Sequence, residues 1–186
     1  MERSAAVRFT YQDLLSLPEE QSRRHEILDG QLYVTPGPRL NHQRVARNLL
    51  RVMDGISWKH GLGEVVGPMT MHIHDELVLE PDLIFIRTER MDMADPEGHV
   101  HGAPDLVVEI LSPSTRSYDR ALKRKYYLEA GVAELWIVDI DGRTVEVWRP
   151  GREQPDVVRE SITWRIGEAA FEIPFGEVFR GVEPGT

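Results

Sequence analysis

Between Asp105 and Asp139 the chain reads strand, helix, strand, and this order limits the possible folds more than any other feature. Asp105 to Leu111 is nearly continuous apolar sequence, interrupted only by Glu109. Ser112-Pro113-Ser114-Thr115 breaks it. Tyr118 to Ala130 then places Leu122, Tyr126 and Ala130 on one helical face, Gly131 supplies a stop, and Glu134 to Asp139 is a second apolar run. Two strands joined through a helix form a right-handed parallel crossover. The remaining strand candidates are joined by tight turns that favour antiparallel pairing, so the expected class is α/β (α+β) with a mixed sheet.

The rest of the chain fits this reading. Thr10 and Asp13 resemble a helix cap leading into Leu14, Leu15 and Leu17. Glu26-Ile27-Leu28 and Leu32-Tyr33-Val34 flank an Asp29-Gly30 turn and predict a hairpin closed by Pro36-Gly37-Pro38. From Asn41 to His60, Val45, Leu49, Val52, Met53 and Ile56 recur at helical spacing before Gly61. Strand candidates follow around Glu64 to Val66, Met69 to His74 and Leu77 to Ile86, then a charged, turn-rich connection over 87–103. Asp141-Gly142 turns into Thr144 to Trp148, and short strand-like runs continue to Ile173. At 186 residues, with no internal repeat or linker, one domain spanning 1–186 is expected.

Composition removes several kinds of chemistry. The chain has no cysteine, which excludes disulfides, a thiolate nucleophile and Cys-ligated metal centres. Met1 to Thr10 shows no apolar signal core, and no stretch approaches the length of a membrane span, so a cytoplasmic location and no membrane partner are expected. The net charge of −9 argues at first against nucleic acid, yet it is unevenly distributed. Residues 23–51 carry six arginines against Glu26 and Asp29, and residues 112–128 carry five basic residues against Asp119. Each segment is +4 and the remainder −17, which is compatible with one focused positive cleft on an acidic body. The alternative is that Arg44, Arg47 and Arg51 solvate the outer face of a helix.

Two carboxylates stand in unusual places. Asp82 follows Pro81 at the start of the run Leu83 to Ile86, and Glu109 lies near the end of the next buried strand. If those strands are antiparallel neighbours, the start of one lies beside the end of the other. Strands are about 4.8 Å apart, so both acids can reach one hard cation at roughly 2.0 to 2.6 Å. Oxygen-only ligation suits Mg²⁺ or Mn²⁺, and such an ion polarises a phosphoryl oxygen and lowers the pKa of bound water.

Pro81-Asp82, Glu109 after 26 intervening residues, and the run Glu-Ile-Leu-Ser-Pro-Ser-Thr from Glu109 to Thr115 resemble the PD-(D/E)XK nuclease superfamily. More narrowly they resemble its Uma-type family of restriction-endonuclease-like bacterial proteins. Supporting matches are His25 to Gly30, Asn41-His42-Gln43, Ala103 to Glu109, Asp119, Lys123, Tyr127, Gly131-Val132 and Glu134 to Asp139. The resemblance implies a restriction-endonuclease-like fold with a central mixed β-sheet flanked by helices. It also implies Asp82 and Glu109 as metal ligands and Glu26 as a third acid. Where the superfamily motif has a lysine two residues after its acid, this chain has Leu111. Lys123, on the family's pattern for the following helix, is the candidate replacement, because a flexible point charge suits an attacking water or a phosphate oxygen. Lys125 is the reserve, about 200° round the helix.

Structural readings stand beside these. Asp119 and Lys123 also fit an i, i+4 surface ion pair. Pro81-Asp82 also fits a turn, Glu26 a solvent-facing hairpin position, and Glu109 a buried acid held by hydrogen bonds or a structural cation. Asp105 shares the strand face of Glu109 but is too near it in sequence to be the acid on the neighbouring strand. His42 suits a capping or packing role more than a phosphate contact. His72-x-His74 and His99-x-His101 lack a third ligand at recognisable zinc spacing. Trp58, Trp136, Trp148 and Trp164 sit in periodic apolar contexts and are expected in the core.

Together these readings predict a Mg²⁺-dependent endodeoxyribonuclease with Asp82, Glu109, Lys123 and Glu26 as its catalytic set and DNA as its partner. A dimer would suit symmetric cleavage of two strands. The alternative is a catalytically inactive nuclease-fold binding or regulatory module, favoured by Leu111 and by the overall acidity.

Overall fold

A computed structural model describes residues 7–17, 23–96, 98–111 and 122–183. Helix α1 (Tyr11–Leu15) begins at Thr10, whose hydroxyl and backbone N–H exchange hydrogen bonds with Asp13 in a reciprocal cap. Strands β1 (Arg23–Leu28) and β2 (Gln31–Pro36) form the expected hairpin. Its turn residues Asp29 and Gly30 both have positive φ, the conformation that makes Asp-Gly the favoured pair. Helix α2 (Leu40–His60) ends at Gly61 in the left-handed conformation.

Next come β3 (Gly63–Val66), β4 (Met71–His74), β5 (Leu77–Leu79) and β6 (Leu83–Arg87). The run Leu77 to Ile86 is therefore two strands rather than one, broken at Glu80-Pro81-Asp82. Proline has no N–H for a ladder and biases its neighbour away from regular pairing, so the chain leaves one sheet there and enters another. A 3₁₀ turn (Thr88–Met93) and β7 (Val100–His101) occupy the charged connection before β8 (Leu106–Ile110). Helix α3 (Arg124–Glu129), β9 (Glu134–Asp139), β10 (Thr144–Trp148), β11 (Asp156–Val158), β12 (Ser161–Ile166), β13 (Ala169–Pro174) and α4 (Phe175–Val178) complete the order. The earlier part of the helix expected from Tyr118, together with Asp119, lies outside the described residues.

The central sheet runs β11-β10-β9-β8-β6-β3, with β8 and β9 parallel and the other pairs antiparallel. It is the mixed sheet that the strand–helix–strand order predicts. Alternation along β6, β8 and β9 divides their side chains between two cores. Leu83, Phe85, Val108 and Trp136 pack with Val45, Leu49 and Met53 of α2 and with Trp164 of the β12–β13 hairpin. Ile84, Val107, Leu135 and Ile137 pack with Tyr127 of α3 and with Leu28, Met71 and Leu79. The last three belong to a second sheet, β2-β1-β5-β4-β7. Trp136, Trp148 and Trp164 are core residues as expected, whereas Trp58 is 87% exposed. It falls on the outer side of α2, away from the stripe formed by Val45, Leu49 and Met53. Among the described residues, no helix is long and apolar enough to cross a membrane.

Candidate active site

Antiparallel pairing of β6 with β8 sets Leu83 against Val108 and Ile84 against Val107. One step further along this register, Asp82 stands opposite Glu109. By alternation along β8, Glu109 belongs to the side of the sheet that carries Val107 and Leu111, the side covered by α3 and the second sheet, while Asp82, just before β6, sits at the strand's entry between β1 and the start of α2. The break at Pro81 places Asp82 where β5 leaves the second sheet for β6, and it brings β1 of that sheet alongside. Asp82, Glu109, Glu26 and Lys123 are all at least nine-tenths buried.

Lys123 sits at the centre. Its Nζ lies 2.8 Å from Glu26 Oε1 and 3.0 Å from Glu109 Oε1, so one ammonium bridges acids from two different sheets. Tyr127, one helical turn on, donates its hydroxyl to the same Glu109 oxygen at 2.5 Å. Glu26 Oε1 also accepts the backbone N–H of Glu80 at 2.9 Å. Glu26 Oε2 is buried with no hydrogen-bond partner.

Asp82 is engaged on both oxygens. Oδ1 accepts from Arg24 at 2.6 Å, while Oδ2 accepts the Ile110 N–H at 2.7 Å and lies 3.1 Å from His42 Nε2. Burial pushes this carboxyl upward, but His42, Arg24 and the Ile110 N–H outweigh that penalty and hold it below the ordinary aspartate value. Burial raises the nearby Glu80 above its ordinary value, with Arg24 opposing the rise. A cleft of about 160 Å³ opens beside Asp82, lined by Arg24, His42, Gln43, Arg47 and Pro68 among others.

The structure thus brings all four sequence-predicted residues into one buried region, with Lys123 touching two of the three acids. The reserve candidate Lys125 is exposed, its ammonium over the Tyr126 ring. Leu111 packs in the core on the side that Glu109 faces. Asp105 lies at the opposite end of β8, where it accepts from the Arg87 N–H and side chain and pairs with Arg90, a clasp remote from Glu109. Three further groups belong to the site: Arg24, His42 and Tyr127. Arg24 had a usable signal, since it shares a face of β1 with Glu26 by two-residue spacing. His42 and Tyr127 were among the positions that carry the family resemblance, but neither was assigned to the acids: His42 was expected to cap or pack, whereas it lies against Asp82.

The residues fit a hard divalent cation in kind, because three carboxylates supply oxygen donors and Glu26 Oε2 is an unsatisfied buried acceptor. They do not already form a coordination shell. Among the described residues, no three acidic or imidazole groups converge as metal ligands. Arg24 and Lys123 instead balance the acids.

A mixed sheet with acids at the meeting of two antiparallel strands, backed by helices on both faces, defines a restriction-endonuclease-like fold of the PD-(D/E)XK superfamily. A crystal structure described as that of "a putative nuclease belonging to DUF820", from Anabaena variabilis, superposes with a TM-score of 0.77, covering 92% of this chain and 97% of that one at 21% identity. The chain belongs to the Uma2 family, described as "Putative restriction endonuclease", whose model matches residues 11–173. A Synechocystis protein, "Uncharacterized protein slr1290", is 26% identical over 140 residues, covering 73% of this chain and 70% of that protein.

Proposed function

We propose that this protein is a metal-dependent endonuclease that hydrolyses DNA phosphodiester bonds. The observation that carries the reading is Lys123 Nζ placed between the buried carboxylates of Glu26 and Glu109, with Asp82 opposite Glu109 in the β6–β8 register. Burying three acids and a lysine together carries a desolvation cost that their mutual contacts only partly offset, and such clusters concentrate at functional sites.

Asp82 and Glu109 are the residues that would hold Mg²⁺ or Mn²⁺, with Glu26 completing the acidic set. A bound ion of this kind supplies polarisation of a phosphoryl oxygen and a more acidic water. Lys123 presents its ammonium to the attacking water or to a non-bridging oxygen, the task that Leu111 cannot perform. Tyr127 fixes the Glu109 carboxylate through its hydroxyl. Arg24 and Arg47 line the cleft beside Asp82 and supply guanidinium groups for backbone phosphates.

The expected result is Mg²⁺- or Mn²⁺-dependent nicking of supercoiled plasmid. Asp82→Ala and Glu109→Ala should abolish it and Lys123→Ala should slow it by about 10²- to 10³-fold, with circular dichroism unchanged. Undiminished nicking in both acid variants rejects the assignment.

A second reading, a catalytically inactive nuclease-fold module that binds a partner, is favoured by two observations: Asp82 is already engaged on both oxygens, and the described residues hold no ready metal shell. On this reading the same assay gives no cleavage with either ion.

A further inference from the structure

On the second sheet, on strands other than the one that carries Glu26, β4 and β7 run parallel and pair His72 with His101. The two imidazoles face each other with Nδ1 atoms 3.3 Å apart and ring planes at 78°. Backbone bonds fix both strands, from Val100 N–H to Thr70 O and from Gly102 N–H to His72 O. Tyr11 stacks on the His72 ring at 4.1 Å and meets His99 edge-on at 5.8 Å. Tyr11 is held in turn by its N–H on Asp75 O. These contacts hold the His72 ring in place beside His101.

Two imidazole nitrogens bound to one tetrahedral ion at roughly 2.0–2.1 Å lie about 3.3–3.4 Å apart. The observed gap matches that span. It also accommodates a single N–H···N hydrogen bond, and the two occupants exclude each other. The other nitrogen of His72, Nε2, is buried with no hydrogen-bond partner, and Asp75 Oδ1 lies 3.7 Å from it. The tautomer with the ring proton on Nε2 leaves the Nδ1 lone pair free and gives the orphaned atom a hydrogen to direct at Asp75, the outer carboxylate that commonly orients a metal-bound histidine.

We propose that His72 and His101 form a binding site for a borderline divalent transition ion, zinc being the natural occupant, which clasps β7 to β4. Burial, together with the neighbouring His101, holds His72 below the ordinary imidazole value, so it is neutral and able to ligate near neutral pH. No third acidic or imidazole side chain converges with the pair among the described residues, so the remaining positions around a bound ion would fall to water. Nitrogen ligands favour Zn²⁺ over Mg²⁺, which separates this pair from the all-oxygen acids around Lys123.

The test is calorimetric titration of the full chain with ZnCl₂ alone, beside MgCl₂. Wild type and Glu109→Gln should each bind zinc at the pair, and His72→Gln and His101→Gln should each weaken that binding about tenfold or more. Nitrogen-15 spectra of the wild-type imidazoles give a readout that needs no variant, and zinc should move the Nδ1 signals of both His72 and His101. Absence of zinc binding, binding unchanged in both histidine variants, loss of zinc binding in Glu109→Gln, or zinc that leaves both Nδ1 signals unmoved would overturn the proposal.

Discussion

Asp82 shows how a single residue can be stabilised and constrained by the same contacts. Arg24, His42 and the Ile110 N–H more than offset the cost of its burial. The consequence for pH has a definite sign. A carboxyl whose folded pKa lies below its ordinary value of 3.8 adds stability above that value, and the contribution fades as pH falls through the folded pKa. Asp105, opposed by burial but held by Arg87 and Arg90, shifts in the same direction. Urea midpoints should therefore fall steeply below about pH 4. Asp82→Asn should flatten that fall, and an unchanged acid limb would show that Asp82 is not the titrating group. Glu109 was legible in the sequence because a charge inside an apolar strand demands an explanation, and Asp82 because it opens the neighbouring run. Two-residue spacing puts Arg24 on the Glu26 face of β1, but its role beside Asp82, like that of His42, depends on β1 and the first turn of α2 reaching the same point in space, which no local spacing encodes.

At the scale of elements, the approach of β3 to β6 positions the site. A Cβ built on Gly67 would lie 2.2 Å from the Asp82 carbonyl oxygen and 2.8 Å from Leu83 Cα, both backbone atoms that cannot swing aside. Gly67→Ala should destabilise the fold by about 1–3 kcal/mol and reduce nicking by displacing Asp82. Gly55→Ala, in mid-α2 with nothing within 4 Å of the new methyl, should instead raise stability by roughly 0.5–1 kcal/mol. Thermal melts and plasmid nicking of the two variants check the contrast, and equal effects would contradict it. Elements with local punctuation were readable in advance: the cap at Thr10, the Asp29-Gly30 turn and the Gly61 stop. The division of Leu77 to Ile86 between two sheets was not, because a continuous hydrophobic pattern does not say which partner each half will find. Trp58 was expected in the core from its apolar surroundings, but at 100° per residue it lies opposite Leu49 on α2, and it is exposed.

For the whole molecule, the charge partition now has a location. Arg24, Arg47 and His42 of the first basic segment line the cleft beside Asp82, and Lys123 of the second reaches Glu26 of the first. Arg51 is paired with Glu177 instead, so not every basic residue of α2 faces a ligand. If the cleft takes DNA, binding should weaken linearly on a logarithmic salt scale, and Arg47→Ala should lower the slope by about one. Filter binding across a salt series measures this, and a slope unaffected by the substitution would place the DNA elsewhere. The central claim is that Asp82 and Glu109, opposite each other where β6 and β8 pair, jointly hold one divalent ion. Calorimetric titration of Mg²⁺ into the wild type, Asp82→Asn and Glu109→Gln tests it most directly. The account predicts saturable binding that either substitution abolishes; no binding to the wild type, or equal binding to all three proteins, would contradict it.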